Sequence, residues 1–280
     1  MPAVREKSSA VSGFYERAAM PEKLNSKTAF GNAPAIEISE GRYVARFART
    51  AKEIDAALRL RFEVFNLELG EGLDASYITE RDEDEFDATC RLLIVVEKQT
   101  GAVVGTYRLR TLETAKSASG FYCAGEFDLD NLPARVLAES LEIGRACIAR
   151  EHRSMRVLFL LWKGLAAFAE LQNKRYLFGC CSLTSQDESE GRRAERRLRS
   201  ENHFHPKFAV APRDDFVCSA EDLPAGDEEF ELPKLFDTYL RFGAKVCSPP
   251  AIDRRFKTID FFVLFDIETI DEKYRQMFFA

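Results

Sequence analysis

Ser140-Leu-Glu-Ile-Gly-Arg-Ala-Cys-Ile-Ala-Arg-Glu-His-Arg153 is the stretch that decides the fold. It starts as a strand that carries charge where a buried strand should be apolar, and it ends in a polar turn. A long apolar helix, Met155 to Gln172, follows at once. Strand, turn and helix N-terminus in that order offer unpaired backbone N–H groups to an anionic ligand. In a regular strand Leu141, Ile143, Arg145 and Cys147 share one face, and Glu142, Gly144 and Ala146 the other. An arginine on an apolar strand face needs a carboxylate partner, because an unpaired buried charge costs several kcal/mol. Gly144 removes a side chain and lets backbone or ligand come close. On these residues alone, a structural ion pair inside an α/β core and a ligand site remain equal readings.

Working outward, Tyr43 to Phe47 alternates as a strand, and Ala51 to Leu69 sets Ile54, Leu58, Phe62, Phe65 and Leu69 on one helical stripe. Arg61 falls near the edge of that stripe. An acidic run, Arg81-Asp-Glu-Asp-Glu-Phe-Asp87, leads straight into a strand at Arg91 to Glu97. A turn at Gln99-Thr-Gly101 returns the chain as Ala102 to Leu109, from which Arg108 emerges. Thr111 to Leu132 reads as a loop anchored by Phe121-Tyr122 and Glu126-Phe-Asp128. Beyond the central stretch, Tyr176 to Cys181 is an apolar strand, and an arginine-rich helix contains Arg192, Arg193, Arg196, Arg197 and Arg199. Leu232 to Phe242 is a helix bounded by Pro233 and Gly243, Phe261 to Ile267 a last strand, and Ile270 to Phe279 a closing helix. Strands alternating with helices predict a mixed α/β sheet covered by helices. Residues 1–40 read as a polar extension with a short helix around Val11 to Met20. Residues 41–280 read as the folded domain, with the arginine-rich helix and a loop excursion at about 183–230.

Composition narrows the function classes. A net charge of −6 excludes a global basic field for nucleic acid. The seven cysteines have no Cys-x-x-Cys spacing and lie largely in apolar runs, which predicts buried free thiols in a reducing compartment. His152, His203 and His205 do not combine with them into zinc-ligand spacing, so no metal is expected. The longest apolar run, Val157 to Trp162, stops at Lys163, short of a membrane span. A cytoplasmic protein is expected, peripheral at most to the inner face of the membrane. The 23 phenylalanines suit a greasy ligand and equally suit an ordinary core.

Arg61-Phe-Glu-Val-Phe, Arg81-Asp-Glu-Asp-Glu-Phe-Asp, Gly105-Thr-Tyr-Arg-Leu and Leu141-Glu-Ile-Gly-Arg occur in an order that resembles the carrier-protein-dependent branch of the GNAT N-acyltransferases. The likeness is strongest to the bacterial ornithine N-acyltransferases and weaker to the acyl-homoserine-lactone synthases and N-acyl amino acid synthases. It runs through Gly120-Phe-Tyr, Glu126-Phe-Asp-Leu, Leu160-Leu-Trp, Phe178-Gly-Cys, Tyr239-Leu-Arg-Phe-Gly-Ala and Ile252-Asp-Arg-Arg-Phe-Lys-Thr, roughly residues 42–275. What the resemblance implies is a GNAT-like, mostly antiparallel central sheet and the transfer of a long, 3-hydroxylated fatty acyl group to the α-amine of an amino acid, ornithine first. The same chemistry on glycine, lysine or a homoserine derivative is the alternative, as is a non-catalytic domain that binds acyl chains or carrier protein.

Carried over residue by residue, the family's charged positions fall on Arg61, Asp84, Asp87, Arg108, Glu142 and Arg145. Forming an amide from a thioester needs a positioned amine, a proton acceptor and donors for the developing oxyanion. Glu142 is the candidate base. Arg145 is expected to order the site by pairing with Asp84 or Asp87. Arg61 and Arg108 suit an α-carboxylate, and the two aspartates suit the acceptor's ammonium groups. Ile148, His152 and Arg153, at the head of the long helix, are expected to meet a phosphopantetheine arm. The turn there, Ala149-Arg-Glu-His-Arg-Ser, lacks the glycines with which GNAT enzymes cradle a free coenzyme A pyrophosphate. Acyl carrier protein is therefore the expected donor, acyl-CoA the less suited one, and no cofactor is bound permanently. Because carrier proteins are acidic, Arg192, Arg193, Arg196 and Arg197 are candidates for docking one, against the plainer reading of a solvated helix face.

Overall fold

In a computed structural model, residues 33–219 and 230–279 are described. The helix expected around Val11 to Met20 lies outside them. Among the described residues nine strands form one sheet in the order β1-β2-β3-β4-β5-β6-β9-β7, with β8 also on β9. They are β1 (Glu37–Glu40), β2 (Tyr43–Phe47), β3 (Arg91–Glu97), β4 (Val103–Thr111), β5 (Ser140–Ile148), β6 (Tyr176–Leu183), β7 (Lys245–Val246), β8 (Ala251–Asp253) and β9 (Thr258–Asp266). Every pairing is antiparallel except β5 with β6. The mixed, mostly antiparallel sheet is the one expected. β1, β7 and β8, too short to carry a pattern, were not.

Five longer helices cover the sheet: α1 (Ala51–Phe62), α2 (Met155–Leu171), α3 (Glu188–Ser200), α4 (Lys234–Phe242) and α5 (Glu272–Phe278). A capping box, Thr50 with Glu53, starts α1, and Ser154 caps α2. α2 buries Val157, Leu160, Leu161, Trp162 and Leu165 against one face of the sheet. Trp162 meets Tyr239, Phe242, Phe265 and Phe278 at ring separations of 5.6, 5.1, 5.3 and 5.3 Å. The opposite face carries a second apolar group built on Phe121, Phe127, Phe178 and Phe262.

Two departures from the expected elements shape the interior. The stripe expected to run as one helix to Leu69 changes after Phe62 into a π-helix, Glu63–Glu68. Its wider turn puts the Leu69 N–H on the Val64 carbonyl, and the next residues bring the Glu71 N–H to Phe65 O at 2.8 Å. The segment expected as loop between Thr111 and Leu132 contains a short helix, Leu112–Lys116, and 3₁₀ turns at Cys123–Gly125 and Leu129–Asn131.

Candidate active site

The site is made by two interruptions of the sheet. β5 and β6 pair in parallel only from Ser140↔Tyr176 to Glu142↔Phe178, and then part while both run on. Gly179 makes the last close approach: a methyl group there would lie 2.2 Å from the Ile143 carbonyl oxygen. Against β4, three steps along β5 (Gly144 to Cys147) match two along β4 (Arg108 to Thr106), which is a β-bulge. Arg145 sits in that bulge with φ +49°, so the strand is not regular and Arg145 does not continue the face of Leu141 and Ile143. At Gly144 an added methyl would meet open space.

Arg145 instead joins a buried ionic cluster. Arg61 donates to Asp82 at 2.7 Å and to both oxygens of Asp87 at 2.6 and 3.0 Å. Arg108 reaches Asp84 at 2.5 Å and Asp87 at 3.4 Å. Arg145 lies 3.2 Å from Asp82 and 3.3 Å from Asp84. Three arginines meet three aspartates, each side chain at most 7% exposed, so the cluster is neutral as a whole. Burial alone would raise the Asp82 and Asp87 carboxyls, but Arg61 with Arg145, and Arg61 with Arg108, more than offset it and hold both below the usual range. Arg145 pairs with Asp84, one of its two expected partners, and also with Asp82. Asp82 carried no mark distinguishing it from the other acids of its run. Arg61 lies fully inside rather than at the rim, and its paired guanidinium has no exposed face to offer an α-carboxylate.

Glu142 is enclosed beside this cluster. One oxygen accepts the Tyr122 N–H at 3.0 Å and the other the Cys123 N–H at 2.8 Å, at the start of the 3₁₀ turn. Burial pushes its carboxyl up, while these two N–H groups and the Arg108 charge pull it back in part. Each oxygen keeps a further lone pair.

A cavity of about 280 Å³ occupies the gap between β5 and β6. One part is apolar, with Leu177, Phe236, Val263 and Phe265 on its wall and a hydroxyl pair, Tyr107 with Tyr239, beside Trp162. The other is polar, with Glu71, Arg108, Arg110, Glu142, Arg145 and Asp260. Of the groups here Arg110, Glu71 and Asp260 were not singled out from the sequence, and Glu126, beside Asp260 and Cys180, was expected only as a loop anchor. Arg110, 2% exposed, places Nη1 3.8 Å from Cys90 Sγ, and its Nε and Nη2 have no hydrogen-bond partner among the described residues. Glu71, Glu126 and Asp260 are each at most 5% exposed. Burial pushes Glu71 up to about 7 and Asp260 up to about 6, and burial with the nearby Asp260 and Asp253 charges carries Glu126 well above its usual value. Ligand atoms of Glu126, Cys180 and Asp260 lie within 4.8 Å of one another, close enough for a cation. A lone acid in the apolar run of β9 was the available signal for Asp260, by the same logic that marked Arg145.

The donor-side candidates stand apart from this cavity, around the head of α2. Ile148 ends β5, opposite Gly105. His152 Nδ1 meets the Tyr43 hydroxyl at 3.0 Å, and Arg153 pairs with Glu68 and donates to Ile148 O at 3.1 Å. A surface depression here is lined also by Arg42 and Arg156, neither singled out from the sequence. On α3, Arg192 pairs with Glu195 at 3.0 Å, Arg193 with Glu190 at 3.7 Å and Arg197 with Glu201 at 2.9 Å, while Arg196 shares the helix with them. Arg197 also donates to Phe230 O at 2.7 Å, so part of this basic character ties down the helix itself. Among the described residues no helix is long and apolar enough to cross a membrane. All seven cysteines are free, with Cys123 and Cys180 sulfurs 3.5 Å apart.

Comparison with known proteins gives this geometry a family. The family described as acetyltransferase (GNAT) domain matches residues 60–163. L-ornithine N(alpha)-acyltransferase of Brucella abortus (strain 2308) is 32% identical over 265 residues, 87% of this chain and 91% of the relative. The enzymes of the same name from Agrobacterium fabrum (strain C58 / ATCC 33970) and Rhizobium meliloti (strain 1021) are 32% and 31% identical, over 84% and 86% of this chain and the same shares of theirs. Among solved structures, the AHL synthase LasI overlays with a TM-score of 0.46 and 12% identity, covering 86% of this chain and 96% of that one. From identity sustained along nearly the whole length of its curated relatives, the chain belongs to the family of the L-ornithine N(alpha)-acyltransferases and is an acyltransferase of the GNAT type.

Proposed function

We propose that the protein transfers a long fatty acyl group from a thioester to the α-amine of ornithine. The observation that carries this reading is a single cavity, open through the β5–β6 gap, that is apolar in one part and lined by charge in the other. The relatives' name supplies the acceptor and the bond formed. The neutral amine attacks the thioester carbonyl, the C–N bond forms, and the C–S bond breaks to release a thiol. The amine's proton passes to Glu142, whose affinity for it burial raises. Arg145, fixed in the bulge by Asp82 and Asp84, holds the β5 backbone in shape beside the reacting carbonyl.

The donor is proposed to be acyl carrier protein, its pantetheine arm entering past Ile148, His152 and Arg153. Support comes from the glycine-free turn at 149–154 and from the basic groups Arg42, Arg153 and Arg156 around it. Arg192, Arg193, Arg196 and Arg197 of α3 are proposed as a secondary contact for the carrier, since Arg192, Arg193 and Arg197 are already paired with acids of the same helix. A hydroxyl on the acyl chain would answer the Tyr107–Tyr239 hydroxyl pair and the Trp162 Nε1–H beside it in that apolar part. Leu67, Tyr77 and Ile78 are exposed beyond Leu69 of the cavity wall and would suit release of a greasy product at a membrane surface. The test is acylation in vitro, read by mass spectrometry, with 3-hydroxyacyl-carrier protein and the matching acyl-CoA as rival donors. An amide-linked acyl ornithine, formed with a much larger kcat/KM from the carrier protein, is expected. Absence of any amide product refutes the reaction, and equal kcat/KM for the two donors refutes the carrier.

A further inference from the structure

Arg110 and the carboxyls around Asp260 stand out because they are ionisable groups taken from water without an ion pair to a group of opposite sign among the described residues. The Arg110 guanidinium lies 5.0 Å from the centre of the Phe86 ring, which offsets only part of the cost of burying an ion whose Nε and Nη2 have no hydrogen-bond partner among the described residues. Asp260 Oδ2 accepts the Thr258 hydroxyl at 2.9 Å, but Oδ1 is sealed with no hydrogen-bond partner among the described residues. Ser182, opposite it on β6, and Glu126 also hydrogen-bond this carboxyl, and its other neighbours are acids. Glu126 accepts from Cys180 Sγ at 3.7 Å, and Glu71 is held by the Thr184 hydroxyl. Asp253 is occupied by the backbone N–H groups of Arg255 and Phe256 at 2.7 and 2.9 Å. Both corners are thus incomplete in opposite senses: one lacks an anion, the other a cation.

Register places them in order. Arg110 faces Glu142 across β4 and β5, Glu142 faces Phe178 across β5 and β6, and Asp260 faces Ser182 across β6 and β9. Phe178, Cys180 and Ser182 alternate onto one face of β6, so Arg110, Glu142 and Asp260 stand on the same face of the sheet. Arg110, Glu142 and Asp260 all line the one cavity.

From this arrangement we infer that the acceptor amino acid is held at two poles, its α-carboxylate on Arg110 and its side-chain ammonium on Asp260 and Glu126, with the α-amine between them at Glu142. The inference rests on the acyl-transfer reading above and adds the residues that select the acceptor. An α-carboxylate supplies the anion Arg110 lacks, in the bidentate geometry a guanidinium favours. Oxygens within 4.8 Å of each other share one ammonium at about 2.8 Å each. The ammonium held there is the unreactive one, because a buried anionic pair stabilises the protonated amine and an ammonium cannot attack. Ornithine therefore enters with the amine that is not acylated locked as a cation. Free enzyme, by contrast, holds one proton on this pair, as burial and mutual repulsion require.

Steady-state kinetics with one fatty acyl thioester and three acceptors tests both poles. The acceptors are ornithine, norvaline (the same carbon chain without the second amine) and ornithinamide (no carboxylate charge). Wild-type enzyme should prefer ornithine to each of the others. Asp260→Asn should reduce the ornithine-to-norvaline ratio of kcat/KM by about tenfold or more, and Arg110→Gln the ornithine-to-ornithinamide ratio by a similar factor. Each variant should leave the other's ratio in place, and the losses should appear in KM more than in kcat. Glu126→Gln and Arg110→Lys replace either variant that does not fold. Wild-type rates that are equal for ornithine and norvaline, or for ornithine and ornithinamide, overturn the corresponding pole while leaving the acyl-transfer reading intact. Ratios unmoved by the variants do the same. Stabilisation by micromolar Zn²⁺ or Mn²⁺ that Asp260→Asn abolishes puts a metal at the acidic pole and overturns that assignment. Failure of wild-type enzyme to acylate any of the three defeats the function itself.

Discussion

Two buried charged regions flank the central strand, and they differ in one respect. Arg61, Arg108 and Arg145 meet Asp82, Asp84 and Asp87 in equal number, each ion contacting at least one of opposite sign. Arg110, by contrast, has two unpartnered nitrogens, and Glu71, Glu126 and Asp260 are gathered together with the Arg145 charge alone to moderate Glu71 and Glu126. A set of charges paired in equal number costs much to break, although Asp82 Oδ1 and Arg145 Nε lack a hydrogen-bond partner among the described residues and Arg108 and Arg145 line the cavity. An incomplete set costs stability while it stands empty and is repaid by a ligand of the missing sign. Burial is common to both regions, so burial by itself does not separate scaffold from site.

The largest expected effect follows from breaking the complete set. Arg61→Ala leaves Asp82 with Arg145 and Asp87 with the more distant Arg108, three buried acids against two bases, a loss of roughly 3–5 kcal/mol for a broken buried pair, which is a large share of the stability of an ordinary domain. Urea unfolding should show it, or the variant should fail to accumulate as folded protein. Asp260→Asn, which removes a charge from the incomplete set, should leave stability unchanged or raise it. If Arg61→Ala unfolds at the wild-type urea midpoint, the distinction between the two regions is lost.

Glu142 lies between the regions and belongs to neither, since backbone N–H groups and not opposite charges hold it. Glu142→Gln should lower kcat by roughly 10²–10⁴-fold, the range for losing a general base, and should shift the acid limb of the rate–pH profile. Acceptor KM should change little. A variant with reduced kcat and an unmoved acid limb would show that Glu142 serves only to anchor Tyr122 and Cys123.

How far each region could be read in advance depended on its pattern. β2 and β3 were legible to the residue, because Tyr43–Phe47 alternates and Arg91–Glu97 ends at a hairpin turn. Arg61, Asp84, Asp87, Arg108 and Arg145 stood out as charges in or beside apolar elements and through family resemblance. The pairing of Arg145 with Asp84 was expected, but that Asp82 would share it and that Arg61 and Arg108 would be spent on the same acids was not legible, and the bulge at Arg145 has no residue pattern to announce it. The incomplete set was harder still. Glu71 lies between two glycines after a helix whose π-turn has no sequence signature, and Glu126 lies in what reads as loop. Asp260 was visible in principle, as an acid within Thr258–Asp266, but its partners come from three distant segments.

pH sharpens the comparison, because the two regions respond with opposite sign. Asp82 and Asp87 sit below their unfolded values, so their contribution is present above about pH 4 and is lost as pH falls through the folded values. Glu71 and Asp260 sit above theirs, at about 7 and about 6, so folded protein holds their protons more tightly. Their contribution is complete below about pH 4 and is lost as pH rises through those values. Arg145, Asp253 and Glu126 are the charged neighbours that set the extent of the shifts. Stability should fall between pH 5 and pH 8 by an amount on the order of 2 kcal/mol. Glu71→Gln and Asp260→Asn should flatten that fall in urea titrations, and saturating ornithine should flatten it as well. A slope unchanged by either substitution would place both carboxyls outside the titrating set.

The smallest effects belong to the exposed charges, which lie in neither region. Such pairs contribute little to stability, because solvent screens them and long side chains lose freedom in forming them. On α3 the bases are spent largely on acids of the same helix, as in Arg192 with Glu195 and Arg197 with Glu201. At the head of α2, Arg42 and Arg156 are tied less closely, to Glu97 at 3.3 Å and Glu40 at 3.9 Å, and both side chains are more than half exposed. An acidic carrier protein gains most from charges that are not already satisfied, and gains it in encounter more than in chemistry. Arg42→Glu with Arg156→Glu should therefore raise KM for acyl carrier protein by about fivefold with kcat unchanged, and Arg193→Glu with Arg196→Glu by about twofold. Both increases should shrink as ionic strength rises, which a loss of folding would not do. If the α3 pair has the larger effect, the carrier docks on that helix and the depression at the head of α2 receives only its pantetheine arm.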